Sequence, residues 1–105
     1  MAEFRLSTAA QADFNEIIDY LAEVAGNRIA ADYAERLREA VNRVAHSSGI
    51  GAPRPILGPE TRITIVHPYL IFYESGPHSE SVHVLRILHG HRNITPELIA
   101  HGREP

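Results

Sequence analysis

Five side chains in the second half of this chain are of types that handle phosphates or protons: Arg62, Arg86, His89, His91 and Arg92. Cleaving RNA without a metal takes a base on the 2′-hydroxyl, an acid for the leaving oxygen and cations over the phosphate. Arg92 with His91 beside it supplies one cation and one imidazole. That pair does not easily fill all three roles, so the residues predict a chain that is not an enzyme. His89-Gly90-His91 suggests zinc instead, because two imidazoles fall on one side of a strand end, and His83 shares their face if the strand is regular. Such a site should add a carboxylate, and Glu74 is the only one near by strand pairing. We therefore expect no metal and no cofactor. His89 is expected to turn with the chain at Gly90, its ring bonded to backbone. His91 and Arg92 are expected to face a macromolecular target, since exposed arginines and ring side chains anchor interfaces. Arg86 lies in an apolar strand that cannot bury an unpaired guanidinium. It is expected to snorkel out or to pair with Glu74 across the strands; the competing use places it with Arg62 on the target-facing surface. Tyr69 and Tyr73, four apart on a strand, share a face and read as core.

The elements that must position these groups are visible in the same stretch. Arg62–Asn93 is rich in β-branched and aromatic residues and is cut by breakers. It predicts three antiparallel strands at roughly 62–67, 69–75 and 82–89, with a Gly76-Pro77 break before the last. Tyr69–Tyr73 is apolar throughout, as in a strand covered on both faces. Before it, Phe4-Arg5-Leu6 predicts a short edge strand. Thr8-Ala9-Ala10-Gln11 has the form of a capping box. Phe14, Ile17, Ile18 and Leu21 then form one apolar helical face, with Asp13, Glu16, Asp19 and Glu23 outside. Gly26 stops that helix, and Asn27 is placed to cap the next. The second helix, about Arg28–Ala45, buries Tyr33, Leu37, Ala40, Val41 and Val44. Asp32–Arg36 and Glu39–Arg43 are i,i+4 pairs worth ~0.2–0.5 kcal/mol each. Two helices joined this tightly lie antiparallel and need the sheet as cover. Ser47–Pro59 reads as loop, and Thr95-Pro96 starts a short helix. The tail from His101 is expected to be loose.

These 105 residues predict a single α+β domain over residues 1–105: an N-terminal strand and an antiparallel helical hairpin packed on a three- to four-stranded, mainly antiparallel sheet. The net charge of −3 argues against a large phosphate-binding footprint. Charge is unevenly spread: six of the seven histidines follow residue 48, so the sheet half gains positive charge as they protonate. Every formal base is arginine. The absence of cysteine excludes disulfides and fits a reducing cytoplasm. No stretch approaches the ~18 apolar residues of a membrane span.

The order strand, helical hairpin, Pro/Gly loop and meander, with Tyr69-Leu70-Ile71-Phe72-Tyr73 and Ile87-Leu88-His89-Gly90-His91-Arg92-Asn93, resembles the ParE/RelE toxin superfamily. Phe4–Ala10 with Asp13, Ile17 and Tyr20, and Arg54-Pro55 with Leu57-Gly58-Pro59, are similar to the ParE branch. The resemblance implies the toxin of a type II toxin–antitoxin system, acting on DNA gyrase by binding rather than by cutting RNA. It implies neutralisation by a cognate ParD-like ribbon-helix-helix antitoxin, through which alone the chain would meet DNA, and a cytoplasmic setting. The RelE branch, whose members cut mRNA on the ribosome, carries an Arg where this chain has Leu70 and a C-terminal Tyr where it has Leu98. A ribosome-dependent endoribonuclease, or a non-toxic homologue serving as an interaction module, are the alternatives. The antitoxin is expected to fill a groove between helices and sheet lined by Ile18, Leu21, Val24, Ala30 and Ala34, unless these are ordinary core.

Overall fold

The computed structural model describes residues 3–75 and 81–103; the Gly76-Pro77 break lies outside them. The chain runs β1 (Glu3–Leu6), α1 (Thr8–Ala25), α2 (Asn27–His46), β2 (Ala52–Pro53), β3 (Thr61–Val66), β4 (Tyr69–Ser75), β5 (Ser81–His89) and α3 (Pro96–Ala100). Single 3-10 turns sit at Ser48–Ile50, Pro55–Leu57 and His101–Arg103. The sheet order is β1-β5-β4-β3-β2. β1 runs parallel to β5, and the other pairs are antiparallel. The expected α+β layering holds, with a fifth strand of two residues added at the far edge. Ala52 and Pro53 lie in a Pro- and Gly-rich stretch that reads as loop, yet an edge strand tolerates Pro.

The helical hairpin covers one face. Ala10, Leu37, Ala40, Val41 and Val44 pack on Val66, Tyr69, Ile71, Tyr73, Val82, Val84 and Ile87. On the other face Phe72, Leu85, Leu88 and Ile99 form a smaller cluster under α3. β4 lies between them in mid-sheet, which is why its apolar run has no polar side. Helix α2 buries Leu37, Ala40, Val41 and Val44 as expected, but Tyr33 is only half-buried and Ala30 and Ala34 join the buried stripe. Helix α3 begins as expected, with Thr95 Oγ1 accepting from the Leu98 amide at 3.2 Å.

Local details correct the sequence reading. The cap of α1 is Ser7, not Thr8: its Oγ accepts from the Ala10 amide at 2.9 Å, and Gln11 bonds Asn15 rather than reaching back. β1 delivers the chain into the helix at Ser7, so Thr8 is already helical. Gly26, at φ 96, joins the helices and caps α2; Asn27 sits within α2 and makes no cap bond. Neither i,i+4 pair of α2 closes as an ion pair. Arg36 instead lies 4.7 Å over the Tyr33 ring, a contact that suits a weakly hydrated guanidinium. The tail is not loose over His101–Arg103. Gly102 is buried, and an added Cβ would collide with the Leu85 carbonyl. Arg103 donates to Glu74, to Thr61 Oγ1 and to the Leu57 carbonyl.

Candidate protein-binding cleft

The site is built on a strand edge that stops too soon. β1 pairs with β5 only along Ser81–Val84. Beyond that, the outer edge of β5 would present bare amides and carbonyls to the interior, which is costly unless they are bonded. The N-terminal part of α1 supplies the partners. The Ser7 amide donates to the Val84 carbonyl at 3.0 Å and its hydroxyl to the Leu85 carbonyl at 2.7 Å. Asp13 Oδ2 accepts from the Ile87 amide at 3.0 Å.

The same carboxylate holds Arg86. Nε donates to Oδ2 at 2.7 Å and Nη2 to Oδ1 at 2.8 Å, the bidentate fork geometry. Nη1 is used by the Leu98 carbonyl at 3.0 Å. Both residues are buried, at 7% and 9% exposure. The bond to Asp13 lifts the Arg86 guanidinium above its ordinary range, so it stays charged. Two expectations are overturned here. Asp13 does not sit on the outer side of α1, and Arg86 neither reaches Glu74 nor faces a target. Glu74 is engaged by Arg103 at 3.1 Å.

A β-bulge explains why spacing misled. Phe72 faces Arg86 but Tyr73 faces Val84, leaving Leu85 as an extra residue in β5. The bulge shifts the strand's period-two pattern by one. His83 therefore pairs with Glu74 on the α3 face, and His89 pairs with Tyr69 on the helical face. The expected shared face of His83 and His89 does not exist. Among the described residues no three His, Asp or Glu side chains are placed to hold a metal ion.

Between α1 and the end of the sheet where β4 begins and β5 finishes lies an open cleft of ≈ 560 Å³. Ile17, Tyr20, Leu21 and Val24 form its α1 wall, and Tyr33, Pro68, Tyr69 and Leu88 line the facing side. Asp13 and Glu16 stand at one side, with His89 and Arg92 at the rim. Rings run along it: Tyr33 to Tyr69 (centroids 5.8 Å), Tyr69 to His89 (5.6 Å), then His89 stacked on His91 (5.0 Å). The His91 amide donates to His89 Nδ1 at 3.0 Å, so the His89 ring is tied to the turn's backbone as expected. Burial first, then Tyr33 and Tyr20, push the Tyr69 phenol above its ordinary range, keeping it protonated. The cleft is thus mostly apolar and aromatic, its one buried carboxylate locked on a guanidinium.

The residues expected here divide. Leu21 and Val24 line the cleft, and Val24 is 59% exposed. Ile18 packs against the core. Ala30 and Ala34 are buried and do not line the cleft. Arg92 and His91 are exposed at the rim end. Arg62 lies away from the cleft and donates to the Gly49 and Gly51 carbonyls at 3.2 and 2.7 Å, holding the loop before β2. Missed were Asp13, Glu16, Tyr20 and Tyr33. Tyr20 was legible in principle, falling three and four residues from Ile17 and Val24 on a helix.

Solved toxins share this architecture. The chain matches the chromosomal ParDE toxin–antitoxin system of P. aeruginosa with TM-score 0.70, 22% identity, and coverage of 85% of this chain and 96% of that one. It matches the RelBE2 toxin–antitoxin complex of Mycobacterium tuberculosis with TM-score 0.60, 19% identity, and coverage of 84% and 96%. The fold is the one those ParE- and RelE-type structures contain. In sequence, residues 4–94 match the model of the ParE toxin of type II toxin–antitoxin systems. Toxin ParE1 of Caulobacter vibrioides is 32% identical over 98 residues, spanning 93% of this chain and 99% of that protein. The chain belongs to the ParE toxin family: it is a type II toxin of the ParE type.

Proposed function

We propose that this toxin inhibits DNA gyrase by binding it, without chemistry of its own, and that a cognate ParD-like ribbon-helix-helix antitoxin neutralises it by laying apolar side chains into the cleft. One observation carries the non-enzymatic part: the arginines of β3 and β5, and Arg103 in the C-terminal turn, are already committed. Arg62 holds the Gly49 and Gly51 carbonyls, Arg86 holds Asp13 and Leu98, and Arg103 holds Glu74. Arg92 and His91 remain at the cleft rim, too few for an acid, a base and a phosphate clamp. The antitoxin part is supported by the exposed apolar wall of Tyr20 and Val24, both 59% exposed, since helix-in-groove recognition uses such walls.

Purified chain should block supercoiling by gyrase at near-stoichiometric amounts, and added antitoxin should restore it. Ribosomes programmed with mRNA and the same chain should yield uncut transcripts by primer extension. Transcripts cut by the wild type and intact with Arg92→Ala would replace this reading with the ribonuclease one.

A further inference from the structure

β1 is the outermost strand of the sheet, bonded to β5 along one edge. Its other edge meets no strand among the described residues. Glu3, Phe4 and Arg5 are exposed, Phe4 by 42%. The strand alternates: Phe4 and Leu6 face the helical layer, where they line a hollow of ≈ 190 Å³ with Phe14, Leu37 and Arg38. Arg5 faces the opposite side, beside His83 and Arg103.

Charged residues on an edge strand normally keep copies apart, because like charges meet when the strand pairs with itself. This edge carries opposite charges two residues apart. Antiparallel pairing of two copies about an axis through Phe4 sets Glu3 of each copy opposite Arg5 of the other, and Phe4 against Phe4. Directly opposed aromatic and opposite-charge pairs both favour a sheet. The surface is self-complementary, as an isologous interface requires. Neither charge has an ion-pair partner among the described residues. We propose that the free toxin forms a twofold dimer through β1–β1 pairing centred on Phe4, joining two sheets into one. No residue lining the large cleft belongs to β1, so the dimer leaves both clefts open. With strands of four residues, the interface falls below the size of a stable complex, and association is concentration-dependent.

Sedimentation velocity of the full chain, free of antitoxin, over a rising concentration series tests this. The wild type should shift from monomer to dimer. Glu3→Arg and Arg5→Glu each turn both cross-strand pairs repulsive and should weaken association by about tenfold or more. An equimolar mixture of the two variants should associate again, and so should the double exchange Glu3→Arg/Arg5→Glu. Phe4→Glu, which sets two carboxylates face to face at the axis with both native charges intact, should also dissociate the dimer. Circular dichroism checks that each variant is folded. A wild type that stays monomeric throughout overturns the proposal. So does a dimer indifferent to these exchanges, which would point to another surface, such as the exposed Ile65 on β3 with Ile56 of the turn before it.

Discussion

The Asp13 carboxylate lies across two neighbours at once, the Arg86 guanidinium at 2.7 Å and the Ile87 amide at 3.0 Å. One side chain of α1 thereby finishes a strand edge and neutralises a buried cation. Removing it strands both. Asp13→Ala should destabilise the fold by about 3–5 kcal/mol, the usual cost of orphaning one member of a buried ion pair. The double variant Asp13→Ala/Arg86→Leu should recover part of that loss, because no buried charge is left. Chemical denaturation of the three proteins checks the cycle.

Ser7 fills the same edge one step earlier. Its hydroxyl caps α1 and donates to the Leu85 carbonyl. Ser7→Ala removes a cap worth ~0.5–2 kcal/mol and leaves a buried carbonyl unbonded. Thr8→Ala, at the position a sequence reader would choose for the cap, should cost much less. Comparing the two midpoints in urea separates them.

Much of this architecture was readable. The hairpin of helices, the three long strands and the N-terminal strand follow from periodicity and breakers, and the doubly covered β4 from its unbroken apolar run. The site was read less well, for two physical reasons. A single extra residue at Leu85 inverts the facing of His83 relative to His89, and sequence spacing carries no sign of a bulge. Asp13 falls among Glu16, Asp19 and Glu23 on what looks like a solvated stripe, yet its place beside the unpaired end of β5 makes it interior. Ala30 and Ala34 have the side chains of either a groove floor or a tight packing seam, and only three-dimensional packing separates these.

His83 gives a pH dependence. Burial first, then Arg5, holds its pKa below 6.5; Glu74 opposes this and Arg103 adds to it. A histidine depressed in the fold binds its proton more readily when unfolded, so the unfolded state takes up more protons in that window. Its contribution is full above pH 6.5 and is lost as pH falls through the depressed folded value. Stability measured by denaturant melts should drop on acidification below about 6.5, and His83→Gln should flatten that part of the profile.

Val24 and Ala34 separate lining from core. Val24 is 59% exposed on the cleft wall, whereas Ala34 is buried. Val24→Asp should leave thermal stability nearly unchanged but weaken antitoxin binding at least ~tenfold, as truncating an interface anchor does. Ala34→Leu should instead cost about 1–3 kcal/mol through overpacking. Calorimetric titration beside thermal melts reads both. A Val24→Asp toxin that binds antitoxin normally would remove the cleft from the antitoxin's footprint.

Arg92 and Arg62 are both arginines of the sheet half, but they have opposite assignments. Arg62, on β3, is held by two backbone carbonyls of the loop before β2. Arg92 is exposed at the cleft rim, two residues past the glycine that ends β5. Its guanidinium has no ion-pair partner among the described residues, so removing it disturbs no fold contact of that kind. Arg92→Ala should therefore keep the midpoint of unfolding and lose gyrase inhibition by about tenfold or more, the loss expected of an interface arginine. Arg62→Ala should do the reverse, loosening the Gly49–Gly51 loop and lowering stability while the folded fraction still inhibits. Measuring inhibition per folded molecule for both variants decides the matter, because a general loss of structure would move the two readouts together, whereas a target-facing Arg92 moves one alone.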